Sequence, residues 1–433
     1  MIKNIITFLM CVQCVYAQNN TPIVLIGGVA HIGNEQLIKN STIIIIDGKI
    51  DQIGPMDSVK FDEKSAEIIN IQDKHVYPSF ILPNTTLGLA EIDAVRASRD
   101  EREVGDLNSN VRSQIAYNTE SIVVSTVRTN GILLAQVTPR GGLVSGTSSI
   151  MKLEGDNWKD ATYLKDDGLH ISWPEIYHHG HWTHSHDFTA KDTDISKKDN
   201  AKKKNKKSIA QLRNFFNNAQ QYNLLKEKDI DLRFESLKTV FSGSTSLYIH
   251  ANTVNGIKEA VLFAKHYNIK KVVIVGGSEA WRITDFIKEN NVPIILKRIH
   301  SLPNHQDDDI DQSFKTPKIL KDAGILFCLD YQGDMERMGS RNLPFLAGNT
   351  INFGFNKEEA LQLITSNTAK ILGISNRTGT LEVGKDANLF ISSGDALDII
   401  SNNVELLFLM GEEINLNNHQ LRLYNKYLEK HIE

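Results

Sequence analysis

Cysteine is nearly absent from this chain. Of 433 residues only Cys11, Cys14 and Cys328 carry thiols, and the first two lie in an apolar N-terminal segment. Without that segment one thiol remains and no internal disulfide is possible, so burial alone must hold the core. An excess of one charge is also missing. The 48 Lys+Arg against 52 Asp+Glu leave a formal net charge of −4, which excludes the broad basic face of a dedicated nucleic-acid binder. No run of 18 apolar residues occurs beyond the N-terminus, so no transmembrane segment is expected. What is present is ordinary globular material. The chain is 41% hydrophobic and 23% charged, which excludes wholesale disorder, and its length suits a large α/β barrel with a smaller module attached.

Residues 1–17 read as a secretory signal peptide. Lys3 precedes the apolar stretch Ile5–Val15, and Val15 and Ala17 supply small residues before a cleavage point. Met10 before Cys11 and Gln13 before Cys14 suit a lipoprotein signal poorly. The expected location is therefore periplasmic or extracellular.

From residue 22 the pattern is β. Ile23–Ile26 and Thr42–Ile46 are β-branched runs, and Asp47-Gly48 signals a hairpin into Lys49–Ile53. After residue 77 short apolar runs alternate with helical patterns, which reads as βα units around a parallel sheet. Leu247–His250 with Val254–His266, then Lys271–Val275 with Glu279–Asn290, are the clearest units; Lys357–Lys370 reads as one helix. From Gly379 the β style returns. The expected organisation is a signal peptide at 1–17, a first sheet part at 18–77, a barrel at 78–375, and a second sheet part with the tail at 376–433. Within the barrel, 168–210 reads as an insertion. It holds five histidines between His178 and His186 and seven lysines between Lys197 and Lys207, with a helix resuming near Ile209. The histidines suit adventitious metal capture and the lysines a solvated face.

Three stretches carry a family pattern: Val76–Gly88 with its Pro83-Asn84-Thr85-Thr86, the glycine-rich Pro139–Ser148, and Ala360–Leu372 with the return Gly379–Phe390. Together they resemble the amidohydrolase superfamily, in particular its exported imidazolonepropionase-like branch. The resemblance covers nearly all of residues 20–425. It implies an α/β fold, a (β/α)8 TIM-type barrel with a composite β-sandwich built from both chain ends, and a site at the C-terminal ends of the barrel strands. It implies hydrolysis of C–N bonds that are mostly not peptide bonds. In the family a divalent ion, held by a His-x-His pair on the first strand and by further histidines on the fifth and sixth, activates water, and an eighth-strand Asp takes the proton.

Position by position, this sequence is depleted. Asn84 and Thr86 stand where the His-x-His pair belongs, and neither is a useful ligand for a zinc-like ion. His250 matches the fifth-strand histidine, whereas Val275-Gly276-Gly277 replaces the sixth-strand one. Asp330 and Asp334 are alternatives for the eighth-strand acid, with Gln332 at the gapless position. No carboxylated lysine is assigned, Lys238 lying in a segment without a firm register. A zinc-like ion held mainly by His250 is therefore expected to bind weakly, if at all. Arg140, Asn84 and Thr86 are candidate substrate contacts, Arg140 through its planar fork to a carboxylate. Ser145, Ser148 and Cys328 are weak candidate nucleophiles, none having a His or Asp in a neighbouring motif. Two functions remain open: a C–N hydrolase with weak or altered activity, or a pseudoenzyme that binds a small molecule or an intact relative. A homo-oligomer is compatible with either.

Overall fold

The computed structural model describes residues 21–175, 195–333 and 335–432. The signal-like segment 1–17, the histidines at 178–186 and Asp334 lie outside the described residues. Among those described, no helix is long and apolar enough to cross a membrane.

Both chain ends build one sheet. Its strands are β1 (Ile23–His31), β2 (Leu37–Ile46), β3 (Lys49–Pro55), β4 (Glu67–Asn70) and β5 (His75–Pro78). Later in the chain β14 (Leu389–Ser392), β15 (Val404–Leu409) and β16 (Glu412–Ile414) join it, in the order β16-β15-β14-β5-β1-β2-β3 with β4 beside β1. Asp47 and Gly48 take φ of 49° and 76°, the two positive angles that a tight β2–β3 hairpin demands. Leu25, Ile43, Ile50, Leu389 and Phe408 are part of a separate small core for this module.

The second sheet is the barrel. It runs β6 (Phe80–Thr85), β7 (Ile132–Val137), β8 (Val144–Lys152), β9 (Thr162–Ser172), β10 (Ser246–Ala251), β11 (Val272–Gly276), β12 (Ile294–Leu296) and β13 (Phe327–Leu329), in chain order. All pairings are parallel except those of β8, which is antiparallel to both neighbours. The barrel architecture expected from sequence is present, with the third strand reversed. The cause is loop length: residues 138–143 and 153–161 are too few for a parallel crossover, which takes about a dozen. Gly141 and Gly142, at φ of 91° and 68°, make the first of these turns.

The expected helix Lys357–Lys370 is two helices, Lys357–Gln362 and Ser366–Ile371. The break closes the barrel. The Leu363 carbonyl accepts from Leu329 N–H (3.1 Å) and the Ile364 carbonyl from Ile81 N–H (2.9 Å), joining β13 to β6. These carbonyls serve the sheet edges instead of a helix, so no strand edge is left open there. The lysine-rich tract is also more ordered than its sequence suggests. A helix runs from Ile195 to Leu224, with Lys202, Lys203, Lys204, Lys206 and Lys207 exposed along it.

Barrel and module meet on aromatic rings. Phe390 of β14 stacks with Tyr77 (5.3 Å) and meets the edge of Phe80 (4.9 Å), and all three are fully buried. Replacing Phe390 by Ala empties this joint and is expected to destabilise the fold by about 3–5 kcal/mol. Urea unfolding followed by circular dichroism measures this, and a cost below about 1 kcal/mol would show the joint to be non-essential.

Candidate functional site

Strand order places five positions at one end of the barrel: Asn84 and Thr86 at the end of β6, His250 at the end of β10, Gly276 at the end of β11, and Asp330 directly after β13. Asn84 is fully buried and adopts φ of 47°, a left-handed conformation that Asn tolerates. This twist turns both its main-chain and side-chain oxygens toward one cation. Arg140, from the turn after β7, donates Nη1–H to Asn84 Oδ1 (2.8 Å) and Nη2–H to the Asn84 carbonyl (2.7 Å). Asn84 Nδ2 donates to Asp330 Oδ2 (2.7 Å), and Gln332 N–H donates to Asp330 Oδ1 (3.1 Å).

Glu336 completes the group. Its carboxylate pairs with Arg140 Nη2 (3.2 Å) and accepts the Thr86 N–H (2.7 Å) and hydroxyl (3.3 Å). Arg337 donates to the Thr86 hydroxyl (3.1 Å). Asn84 and Thr86 are thus both tied to the Arg140–Glu336 ion pair. The sequence-predicted residues Asn84, Thr86, Arg140 and Asp330 come together here. Glu336, which sequence reasoning did not single out, binds two of them.

A second group lies beneath the mouth. His250 Nε2 and His170 Nδ1 are 3.0 Å apart, and His170 Nε2 lies 2.9 Å from Ser148 Oγ. Ser148 donates to Asp167 Oδ1 (2.7 Å), and Asp167 Oδ2 accepts from Gln136 Nε2 (2.7 Å) and Tyr248 OH (3.0 Å). Gln136 Oε1 accepts the Asn84 N–H (3.0 Å), which links the two groups. Sequence reasoning missed Gln136, Asp167, His170 and Tyr248. The available signal was a polar residue between apolar neighbours in a barrel strand, as His170 between Leu169 and Ile171 in β9.

Burial dominates the electrostatics. Burial first, then repulsion from Glu336, raises the Asp330 carboxyl to about 8 against the opposing pull of Asn84 and Arg140. Burial and the Arg140 charge lower His250 to about 3. The His170 imidazole is held well below its ordinary value by burial, His250 and Arg140. Both histidines are therefore neutral at physiological pH. Asp167 is raised to about 6 by burial, and its three hydrogen-bond donors hold it down against that rise.

The residues present do not fit a divalent ion. Asn84 Oδ1 already faces a guanidinium, and no grouping of three or more His, Cys, Asp or Glu suited to a metal exists among the described residues. At Gly276 φ is 106°, a backbone conformation that strains any residue carrying a Cβ. The nucleophile candidates fare no better. Burial raises the Cys328 thiol, the Ser145 hydroxyl donates to the His170 carbonyl, and Ser148, although it has His170 and Asp167 beside it, is fully buried.

Residues 245–414 match the family model described as Amidohydrolase family. The barrel is of the amidohydrolase type. A solved amidohydrolase from Thermotoga maritima MSB8 superposes with a TM-score of 0.77 at 20% identity, covering 91% of this chain and 99% of that one. Molinate hydrolase (TM-score 0.54, 14% identity, 93% and 96% covered) and a Xaa-Pro dipeptidase with methionine bound in its active site (0.53, 14%, 91% and 100%) share the fold. Among curated protein sequences no match is found.

The raised Asp330 pKa has a consequence for stability. A carboxyl that ionises near 8 in the fold and near 4 when unfolded binds its proton more tightly in the native state. Its contribution is full below about pH 4 and is lost as pH rises through about 8. Urea midpoints between those values are expected to fall with pH in the wild type and to fall less steeply in Asp330→Asn. Parallel profiles for the two proteins would disprove a protonated Asp330.

Proposed function

We propose that this is an amidohydrolase-fold pseudoenzyme, a binding protein that does not carry out the metal-dependent C–N hydrolysis of its fold relatives at the barrel mouth. One observation carries the reading: the Arg140–Glu336 ion pair holds both first-strand positions, Asn84 and Thr86, through direct hydrogen bonds. A resident cation bonded to the protein takes the charge that a divalent ion would bring, and it offers no site for activating water. A separate hollow of about 480 Å³, lined by His300, Tyr331, Phe345 and Asp395 and by none of the mouth residues, offers space for a small molecule. Docking onto an intact relative is the other form of binding compatible with this mouth. The signal-like N-terminus supports placing the protein outside the cytoplasm, in the periplasm or beyond.

Elemental analysis of tagless protein after dialysis against a weak chelator tests the reading, with His250→Ala and a deletion of residues 178–186 run beside it. Retained metal is expected to be absent, or to vanish with the deleted stretch. A full equivalent of metal that survives the deletion and disappears in His250→Ala would refute the pseudoenzyme reading.

A second reading rests on Asp330. A carboxyl raised to about 8 can exchange protons near neutral pH, which suits metal-independent acid–base hydrolysis of cyclic amides or hydantoins. Were Asp330 the base, turnover would decline as pH falls through about 8 and Asp330→Asn would abolish it. Assays of hydantoins, cyclic amides and dipeptides with metal-free protein check this, and absence of turnover at pH 9 eliminates it.

A further inference from the structure

The polar chain beneath the mouth has a direction, and that direction determines what His250 offers to the mouth. It starts at a group whose role is unambiguous. The main-chain N–H of Asn84 is a donor, so the Gln136 atom facing it is the oxygen, and Gln136 Nε2 must donate to Asp167 Oδ2. Tyr248 OH donates to the same oxygen. With two donors on Oδ2 and the Ser148 hydroxyl 2.7 Å from Oδ1, Asp167 is surrounded as an ionised carboxylate is. The single Ser148 proton is thereby used, the alternative acceptor at Gly168 O being farther away at 3.2 Å. Ser148 Oγ must then accept from His170, which requires the proton of His170 on Nε2. His170 Nδ1 is left as a lone pair, and a lone pair on His250 Nε2 only 3.0 Å away would repel it. The His250 proton is therefore on Nε2 and its Nδ1 is bare.

We infer that Asp167, Ser148 and His170 form a hydrogen-bond relay that fixes the neutral His250 tautomer, presenting Nδ1 as an acceptor at the barrel mouth. His250 is half-buried at the C-terminal end of β10, and its Nδ1 has no protein hydrogen-bond partner among the described residues. The three relay residues are positioning residues, since they act only through His250. Resting on the reading of the mouth as a binding site, the relay also defines a ligand class. A molecule seated against His250 must bring an N–H or O–H donor to Nδ1. An amide, imide or ureide carries such an N–H donor.

Long-range proton–nitrogen NMR on uniformly ¹⁵N-labelled, ligand-free protein near pH 7.5 reads the tautomers directly, with His250→Gln and His170→Gln for assignment. The expected result is His170 and His250 both neutral and protonated on Nε2. A wild-type His250 that is protonated on Nδ1 or doubly protonated overturns the inference. No ligand enters the measurement, so a failure of the relay and a failure of the binding reading are seen separately.

Discussion

A guanidinium buried against an amide governs the barrel mouth. Arg140 reaches back from the turn after β7 and donates to both oxygens of Asn84, and most other features of the site follow from that contact. Asn84 must adopt a left-handed backbone to present both oxygens, and its side-chain nitrogen is then aimed at Asp330. The guanidinium needs a counter-charge, which Glu336 supplies, and Glu336 in turn fastens Thr86. Removing one member of such a part-buried pair leaves the other charge without compensation, which is far more costly than losing a solvated ion pair.

This arrangement bears on the chemistry open to the fold. A divalent ion in an amidohydrolase barrel requires several deprotonated donors converging on one point. Here Asn84 and Thr86 offer an amide and a hydroxyl, Gly276 has no Cβ, and the cation is part of the polypeptide. Burial has moved Asp330 and His250 far from their usual values. Asp330 holds its proton to about 8, whereas His250 stays neutral down to about 3. The mouth therefore displays a fixed pattern of hydrogen-bond donors and acceptors at physiological pH, which suits recognition.

Much of the architecture was legible from residue order. The β-branched runs around Asp47-Gly48 and the alternation after residue 77 pointed to a sheet module and a barrel, and both are present. The reversed third strand was legible in principle, because the linkers 138–143 and 153–161 are too short for a crossover. The split of Lys357–Lys370 was not. Helical periodicity continues through Leu363–Thr365, and only the open edges of β6 and β13 call the Leu363 and Ile364 carbonyls away. The same limit hid the extent of the lysine-rich helix, where exposed lysines leave no apolar stripe to read.

By itself the sequence determined which side chains stand at the strand ends. Asn84, Thr86 and Gly276-Gly277 are written in the chain, and no packing can make zinc ligands of them. It also supplied His250, and it left Asp330 and Asp334 as alternatives for an acid. Only the tertiary structure decided what fills the gap. Arg140 and Glu336 are 196 residues apart, Asn84 and Asp330 are 246 apart, and His170 and His250 are 80 apart. Hydrogen bonds and ion pairs act over a few ångströms and carry no trace in local sequence pattern, so barrel closure alone brings these partners within reach.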